Sequence, residues 1–176
     1  MHAAKVARRR LRLHQVWLLV SPGNPLKPSR GMAPLAERLA GARRLVDGRR
    51  ILATDIEARL GTRYTADAVR SLRQRFPRVH FVWLMGADNL VQLPRWHRWL
   101  DIVTQVVFAV LPRPTYNQRA LSGHAARRLR GARLRASATP TLAAMPPPRW
   151  VFVPTRQHAA SATAIRAALI GVSDHR

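Results

Sequence analysis

The chain has 176 residues, a formal net charge of +23 and no cysteine, and this length suits one domain, residues 1–176, with a sizeable core. The lack of cysteine excludes a disulfide framework and thiolate metal ligands, and no apolar run is long enough to span a bilayer. The start Met1-His2-Ala3-Ala4-Lys5 is basic but has no apolar signal core or cleavage site, so a cytoplasmic location without a membrane partner is expected.

Elements follow in chain order. Ala4, Ala7 and Leu11 fall at helical spacing, with Arg8, Arg9, Arg10 and Arg12 mostly on other faces, which predicts a helix over 2–12. The continuous apolar run from Gln15 to Val20 predicts a strand buried on both faces, stopped by Ser21-Pro22-Gly23-Asn24-Pro25. A helix is expected from Met32 to Val46 with Pro34 in its first turn, then a short strand over Ile51–Thr54. Thr65 is expected to cap a helix from Ala66 to Phe76, ended by Pro77. Val79–Met85 reads as a strand ending at Gly86-Ala87-Asp88. Helical stretches at Asn89–Leu93 and Trp96–Ile102 lead to a strand at Val106–Leu111, stopped by Pro112-Arg113-Pro114. Residues 131–149 read as a surface loop or tether. Trp150–Val153 is the last strand, and Ser161-Ala162-Thr163-Ala164-Ile165-Arg166 opens a final helix.

Buried-type strands alternating with amphipathic helices predict an α/β fold with a parallel sheet. Ligands in such folds sit at the carboxyl ends of the strands. Three candidate segments fall there: the loop with Lys27, the Gly86-Ala87-Asp88 turn, and the helix start at Ser161.

The chemistry of each segment can be read from its residue types. Ser161 and Thr163 at a helix N-terminus, with Arg166 one turn in, suit a phosphate: unpaired N–H groups, the positive end of the dipole and a planar guanidinium converge. An ordinary capped helix with a solvated arginine has the same six residues. Glycine at Gly86 permits close backbone approach, and Asp88 can accept two hydroxyls, as a ribose presents, or can cap the next helix. Trp96 offers a flat face for an aromatic ring, while Trp99 is expected in the core. Arg63-Tyr64-Thr65 before a helix can present hydroxyl and N–H groups to a carboxylate. Lys27, in a loop stiffened by prolines, suits a phosphate or is a solvated loop lysine. None of the seven histidines has metal-ligand spacing, so no protein-held metal is expected. The charge favours polyanionic partners. An Arg-, Ala- and Pro-rich composition with only Lys5 and Lys27 as lysines is also what genomic bias produces, so charge alone leaves the partner open.

Taken in order, several stretches resemble the bacterial nicotinate-nucleotide adenylyltransferases of the HxGH nucleotidyltransferase superfamily. They are Val20-Ser21-Pro22-Gly23-Asn24-Pro25-Leu26-Lys27, Asp55-Ile56-Glu57, Arg63-Tyr64-Thr65-Ala66-Asp67, Gly86-Ala87-Asp88-Asn89-Leu90, Trp96-His97-Arg98-Trp99 and the segment from Ser161 to Arg166. The resemblance implies a Rossmann-like, doubly wound parallel sheet. It implies joining of ATP and nicotinate mononucleotide, with Mg²⁺ accompanying the ATP, in NAD biosynthesis. It places ATP binding on Gly86, Asp88, Ser161, Thr163 and Arg166, the nicotinate pocket on Thr65, Trp96 and His97, and catalytic charge on Lys27 and Arg166. The family's opening strand and GSF-x-P-x-H-x-G-H segment have no counterpart in residues 1–176. The central first strand is therefore expected to be missing, and these residues alone are expected to be inactive. Two other readings stand beside this one: a related nucleotidyltransferase with another acceptor, such as phosphopantetheine, and a basic nucleic-acid-binding protein. The second explains the charge but not the ordered loops, and no helix-turn-helix, RRM or zinc-finger signature occurs, so no specific nucleic acid is expected.

Overall fold

A computed structural model describes residues 1–23 and 32–155. In chain order the elements are α1 (His2–Arg10), β1 (Val16–Leu19), α2 (Leu35–Arg44), β2 (Ile51–Thr54), α3 (Ile56–Arg59), α4 (Thr65–Arg75), β3 (Val82–Gly86) and α5 (Ala87–Gln92). They continue with α6 (Trp99–Gln105), β4 (Val107–Leu111), α7 (Asn117–Ser122), α8 (His124–Arg128), β5 (Arg133–Leu134) and β6 (Trp150–Phe152). Short 3₁₀ turns lie at Leu93–Arg95, Arg130–Ala132 and Ala136–Ala144.

Every strand pairing among the described residues is parallel. β1 and β2 form one pair, and β3, β4, β6 and β5 form a four-stranded sheet in that order. β4 shows why the strands read as unbroken apolar runs. Its Phe108 and Val110 face a core with α4 to α8, while Val107 and Ala109 face a second core with Ala7 and Leu11 of α1 and with Leu142. Period-2 alternation with both faces covered leaves no polar position. This is the doubly wound, Rossmann-like arrangement.

Helix α1 straddles the two sheets. Ala4 packs with Val16 and Ile51 of the β1–β2 pair, whereas Ala7 and Leu11 pack on β4 and Val151. Leu84 of β3 borders both clusters. β1 and β3 do not bond to each other, and each keeps an edge unpaired among the described residues. The apolar Trp17, Leu18, Leu19, Val82 and Leu84 stay only half-buried there. Aromatic edges bring the two sheets close at one end, with Trp17 5.9 Å from Phe76 and 6.1 Å from Phe81 between ring centroids.

Some expectations move. The strand expected at 79–85 starts at Val82, and Val79 is 51% exposed: after the turn at Pro77 and Arg78, the three residues Val79 to Phe81 pass before pairing with β4 begins. Pro34 precedes α2 instead of entering it. The segment 131–149 is not a tether. It supplies β5, which pairs with β6, and a 3₁₀ run that buries Thr139 and Leu142. Its proline content, with Pro140 inside that run, hides an ordered cover whose burial depends on β6. Helices α7 and α8 were not anticipated. Their buried alanines, Ala120, Ala125 and Ala126, carry too little hydrophobicity to mark a face.

A single carboxylate organises the turn into β2. Asp47 Oδ1 accepts the N–H groups of Arg49, Arg50 and Ile51 at 2.8–3.0 Å. Those bonds hold its carboxyl below the usual carboxylate range.

Candidate active site at the carboxyl ends of the strands

Parallel strands put all their carboxyl ends on one side of the sheet. There β3 runs into α5 without a loop, so Gly86 closes the strand and Asp88 sits in the first turn of the helix. No side chain caps that helix, which removes the capping role for Asp88. Its Oδ1 is shielded from solvent and accepts no hydrogen bond from the described residues. Arg113, just beyond β4, brings a cation beside it, with Nε 3.6 Å away. Arg113 is in turn seated by its backbone N–H, which donates to Asn117 Oδ1 at 2.8 Å. A Cβ at Gly86 would collide with Asp88 Oδ1 and lie 2.9 Å from Arg113 Nε. Space, not backbone freedom, requires glycine here, since its φ is −79°. A shielded carboxylate oxygen without a donor, beside an arginine and a bare stretch of backbone, is suited to a hydroxyl donor on an anionic ligand.

A second group forms around α4 and the turn before α6. Thr65 is the first residue of α4, and no side chain caps the helix; Thr65 therefore does not act as the expected cap. The N–H groups of Asp67 and Ala68 donate to the Tyr64 carbonyl at 3.1 and 3.0 Å, those of Thr65 and Ala66 have no acceptor among the described residues, and together they mark the positive end of an 11-residue helix. Trp96 is not helical, as expected from sequence, but extended, with φ −78° and ψ 142° after the 3₁₀ turn. Helix α5 ends at Gln92, Pro94 lies in the 3₁₀ turn that follows, and α6 begins only at Trp99. His97 lies 4.3 Å from Tyr64 between ring centroids, at 33°. Trp96 and Trp99 are both half-buried and both border the α4–α8 core, so burial does not separate the two as expected from sequence.

At the end of β2, Asp55 Oδ1 is approached by Arg59 Nε at 2.9 Å, off the angle of a hydrogen bond. Glu57 has its carboxyl pushed above the usual carboxylate range, first by burial, with the Ser21 hydroxyl acting in the other direction. A raised carboxyl binds its proton more tightly in the folded chain than in the unfolded one. That contribution to stability is full below the ordinary value of 4.5 and is lost as pH rises through the raised value. Glu57→Gln is expected to raise the melting temperature at pH 7 and to leave it nearly unchanged at pH 4. Equal shifts at both pH values would contradict the burial of this group.

Arg38 of α2 closes the base of the loop after β1. Its guanidinium donates to the carbonyls of Ser21 (2.8 Å), Pro22 (3.3 Å) and Ala33 (2.9 Å). Lys27, Ser161, Thr163 and Arg166 lie outside the described residues. Neither Arg113 nor Arg38 was anticipated. Among so many arginines, only their tertiary partners single them out.

A cleft of about 490 Å³ lies at the opposite, amino-terminal end of β3 and β4, lined by Arg70, Phe76, Phe81, Gln105 and Met145. It shares no residue with either group above and is set aside as a site for this chemistry. Among the described residues no cluster of three His, Asp or Glu could hold a metal ion, and no helix is long and apolar enough to cross a membrane.

A family model described as cytidylyltransferase-like matches residues 1–168. The chain is similar to a probable nicotinate-nucleotide adenylyltransferase of Gluconacetobacter diazotrophicus, 55% identical over 170 residues, which span 97% of this chain and 79% of that protein. A protein of the same description from Gluconobacter oxydans is 56% identical over 163 residues, 93% of this chain and 84% of its own length. Among solved structures, Plasmodium falciparum nicotinic acid mononucleotide adenylyltransferase complexed with NaAD shares the fold. Its TM-score is 0.56 at 10% identity, over 92% of this chain and 70% of that one.

Proposed function

The chain belongs to the bacterial nicotinate-nucleotide adenylyltransferases, within the cytidylyltransferase-like family, and from that premise we propose how its residues serve the reaction. It is a nucleotidyltransferase of NAD biosynthesis whose substrates are ATP and nicotinate mononucleotide. A phosphate oxygen of the mononucleotide attacks the α-phosphorus of ATP in line. The bond to the β-phosphate oxygen breaks, and pyrophosphate leaves with that electron pair. No covalent enzyme intermediate is needed, so catalysis is positioning and charge stabilisation. The reaction takes place in the cytoplasm.

The observation that carries the assignment of the nucleotide is the shielded Asp88 Oδ1 without a donor among the described residues, beside the bare backbone of Gly86. A ribose hydroxyl of ATP supplies the missing donor. Ser161, Thr163 and Arg166 take the ATP phosphates, and Lys27 and Arg166 carry charge from the transferring group. On the acceptor side, the first turn of α4 at Thr65 receives the nicotinate carboxylate. The His97 ring rests tilted against Tyr64, which leaves the Trp96 indole as the platform for the pyridine ring.

Members of this family work with a divalent metal and ATP. The described residues fit an ion that arrives on the nucleotide phosphates and not one in a protein cage; we take it to be Mg²⁺, which keeps phosphate and water ligands. When bound, it neutralises phosphate charge.

Residues 1–176 contain no H-x-G-H. The test therefore assays this chain and the same chain carrying the family's H-x-G-H strand and loop at its N-terminus. Formation of nicotinate adenine dinucleotide and pyrophosphate by the latter is the expected result. Adenylylation of phosphopantetheine, with nicotinate mononucleotide untouched, would overturn the reading. In that protein Trp96→Ala is expected to weaken acceptor binding by about 1–3 kcal/mol, the worth of one aromatic stack, and to leave ATP binding unchanged. Equal losses for both substrates by calorimetry would remove Trp96 from the acceptor pocket.

A further inference from the structure

The turn that carries Trp96 and His97 is tied to the first turn of α4 at two points. One is the Tyr64–His97 ring contact. The other is Arg98, whose Nη1 lies 3.9 Å from Asp67 Oδ1 and whose Nη2 pairs with Asp101 Oδ2. Asp67 is two residues after Thr65, and Asp101 is in the first turn of α6. Arg70 of α4 reaches the same Asp101 oxygen at 3.8 Å. Arg98 also holds a left-handed backbone conformation, φ 51° and ψ 42°. Non-glycine residues keep that conformation where their surroundings over-determine it.

We propose that Arg98 is a positioning residue for the acceptor pocket: by bridging Asp67 and Asp101 it holds the Trp96–His97 turn against the start of α4. It thereby sets the gap between the Trp96 indole and the N–H groups at Thr65. The proposal rests on the function proposed above and adds a residue to it that touches no substrate. All three side chains are 38–45% exposed, so the pairs add little to global stability. Their effect is local, on the turn between the Leu93–Arg95 segment and α6.

An arginine near an anionic substrate could instead act by attraction alone, and the two roles separate experimentally. The full chain and its Arg98→Ala, Arg98→Lys and Arg95→Ala variants are titrated with nicotinate mononucleotide and with ATP by calorimetry. The His97 ring protons are followed by NMR without ligand, since the Tyr64 ring shields them. Arg98→Ala is expected to weaken the mononucleotide roughly ten- to a hundredfold, up to the loss of the Trp96 stack it holds in place. ATP affinity should stay unchanged. The His97 ring protons should move toward unstacked positions, and Arg98→Lys should restore part of both effects. Arg95→Ala, which removes an exposed charge from the same turn, should change neither. An equal loss in Arg95→Ala would overturn the proposal in favour of plain attraction, as would unchanged His97 protons in Arg98→Ala. If the unmodified chain binds no mononucleotide while Arg98→Ala still frees His97 from Tyr64, Arg98 keeps its positioning role and the proposed acceptor falls.

Discussion

Trp150→Ala is expected to cost about 3–5 kcal/mol, the range for removing a fully buried aromatic side chain. Trp150 is 0% exposed on β6, the strand that joins β4 to β5. Its ring stacks on Phe108 at 5.6 Å and 4°, and the Arg133 guanidinium lies 5.3 Å from its centroid. The indole N–H donates to the Leu129 carbonyl at 2.9 Å. Alanine would open a cavity and remove one of the two hydrogen bonds to that carbonyl, the other coming from the Ala132 N–H at 3.0 Å, and both terms act in the same direction. Against a net stability of about 5–15 kcal/mol for an ordinary domain, such a loss removes a large share of the folded population. Trp17→Ala on β1 is the control, because that indole is only half-buried and packs edge-on against two phenylalanines. Denaturant melts of the two variants should therefore differ severalfold in stability lost. Losses of the same size would mean that β6 does not anchor the four-stranded sheet.

The second large effect concerns the nucleotide. Asp88→Ala removes the acceptor that a ribose hydroxyl would meet, a hydrogen bond to a charged group worth about 1.5–3 kcal/mol. ATP affinity should fall roughly ten- to a hundredfold, while the affinity for nicotinate mononucleotide stays the same. Gly86→Ala reaches the same end by geometry. The added Cβ meets Asp88 Oδ1 and comes within 2.9 Å of Arg113 Nε, so both side chains must leave the positions that frame the pocket. Calorimetric titration with ATP measures both variants. ATP binding by Asp88→Ala within about twofold of the parent chain, well below one such hydrogen bond, would move the nucleotide elsewhere. Retained binding in Gly86→Ala would show that the pocket has slack the structure does not have.

Much of the architecture was legible in the residues because it is repetitive and local. Val107 to Leu111 announces a strand covered on both faces, since five apolar residues in a row leave no face for water. Ile51–Thr54 was read with its observed ends, bounded by polar residues on both sides. The family was legible too, because short motifs such as Gly86-Ala87-Asp88 and Ser161 to Arg166 carry their chemistry in residue identity and spacing.

Other features had no local signal. Trp96-His97-Arg98-Trp99 reads as one helix, yet only Trp99 is helical, and Arg98 turns left-handed where two aspartates from separate helices hold its guanidinium. Residues 131–149 read as a tether because Pro146-Pro147-Pro148 dominates the pattern, while their burial comes from pairing with β6, which follows them in the chain. Arg113 and Arg38 look like any of the chain's other arginines until Asp88, Ser21 and Ala33 are brought beside them. Propensity and periodicity act between neighbours in sequence and so determined the strands, the order of the loops and the family. The partner of a charged or apolar side chain is chosen by contacts between distant segments, and only the tertiary structure decided those.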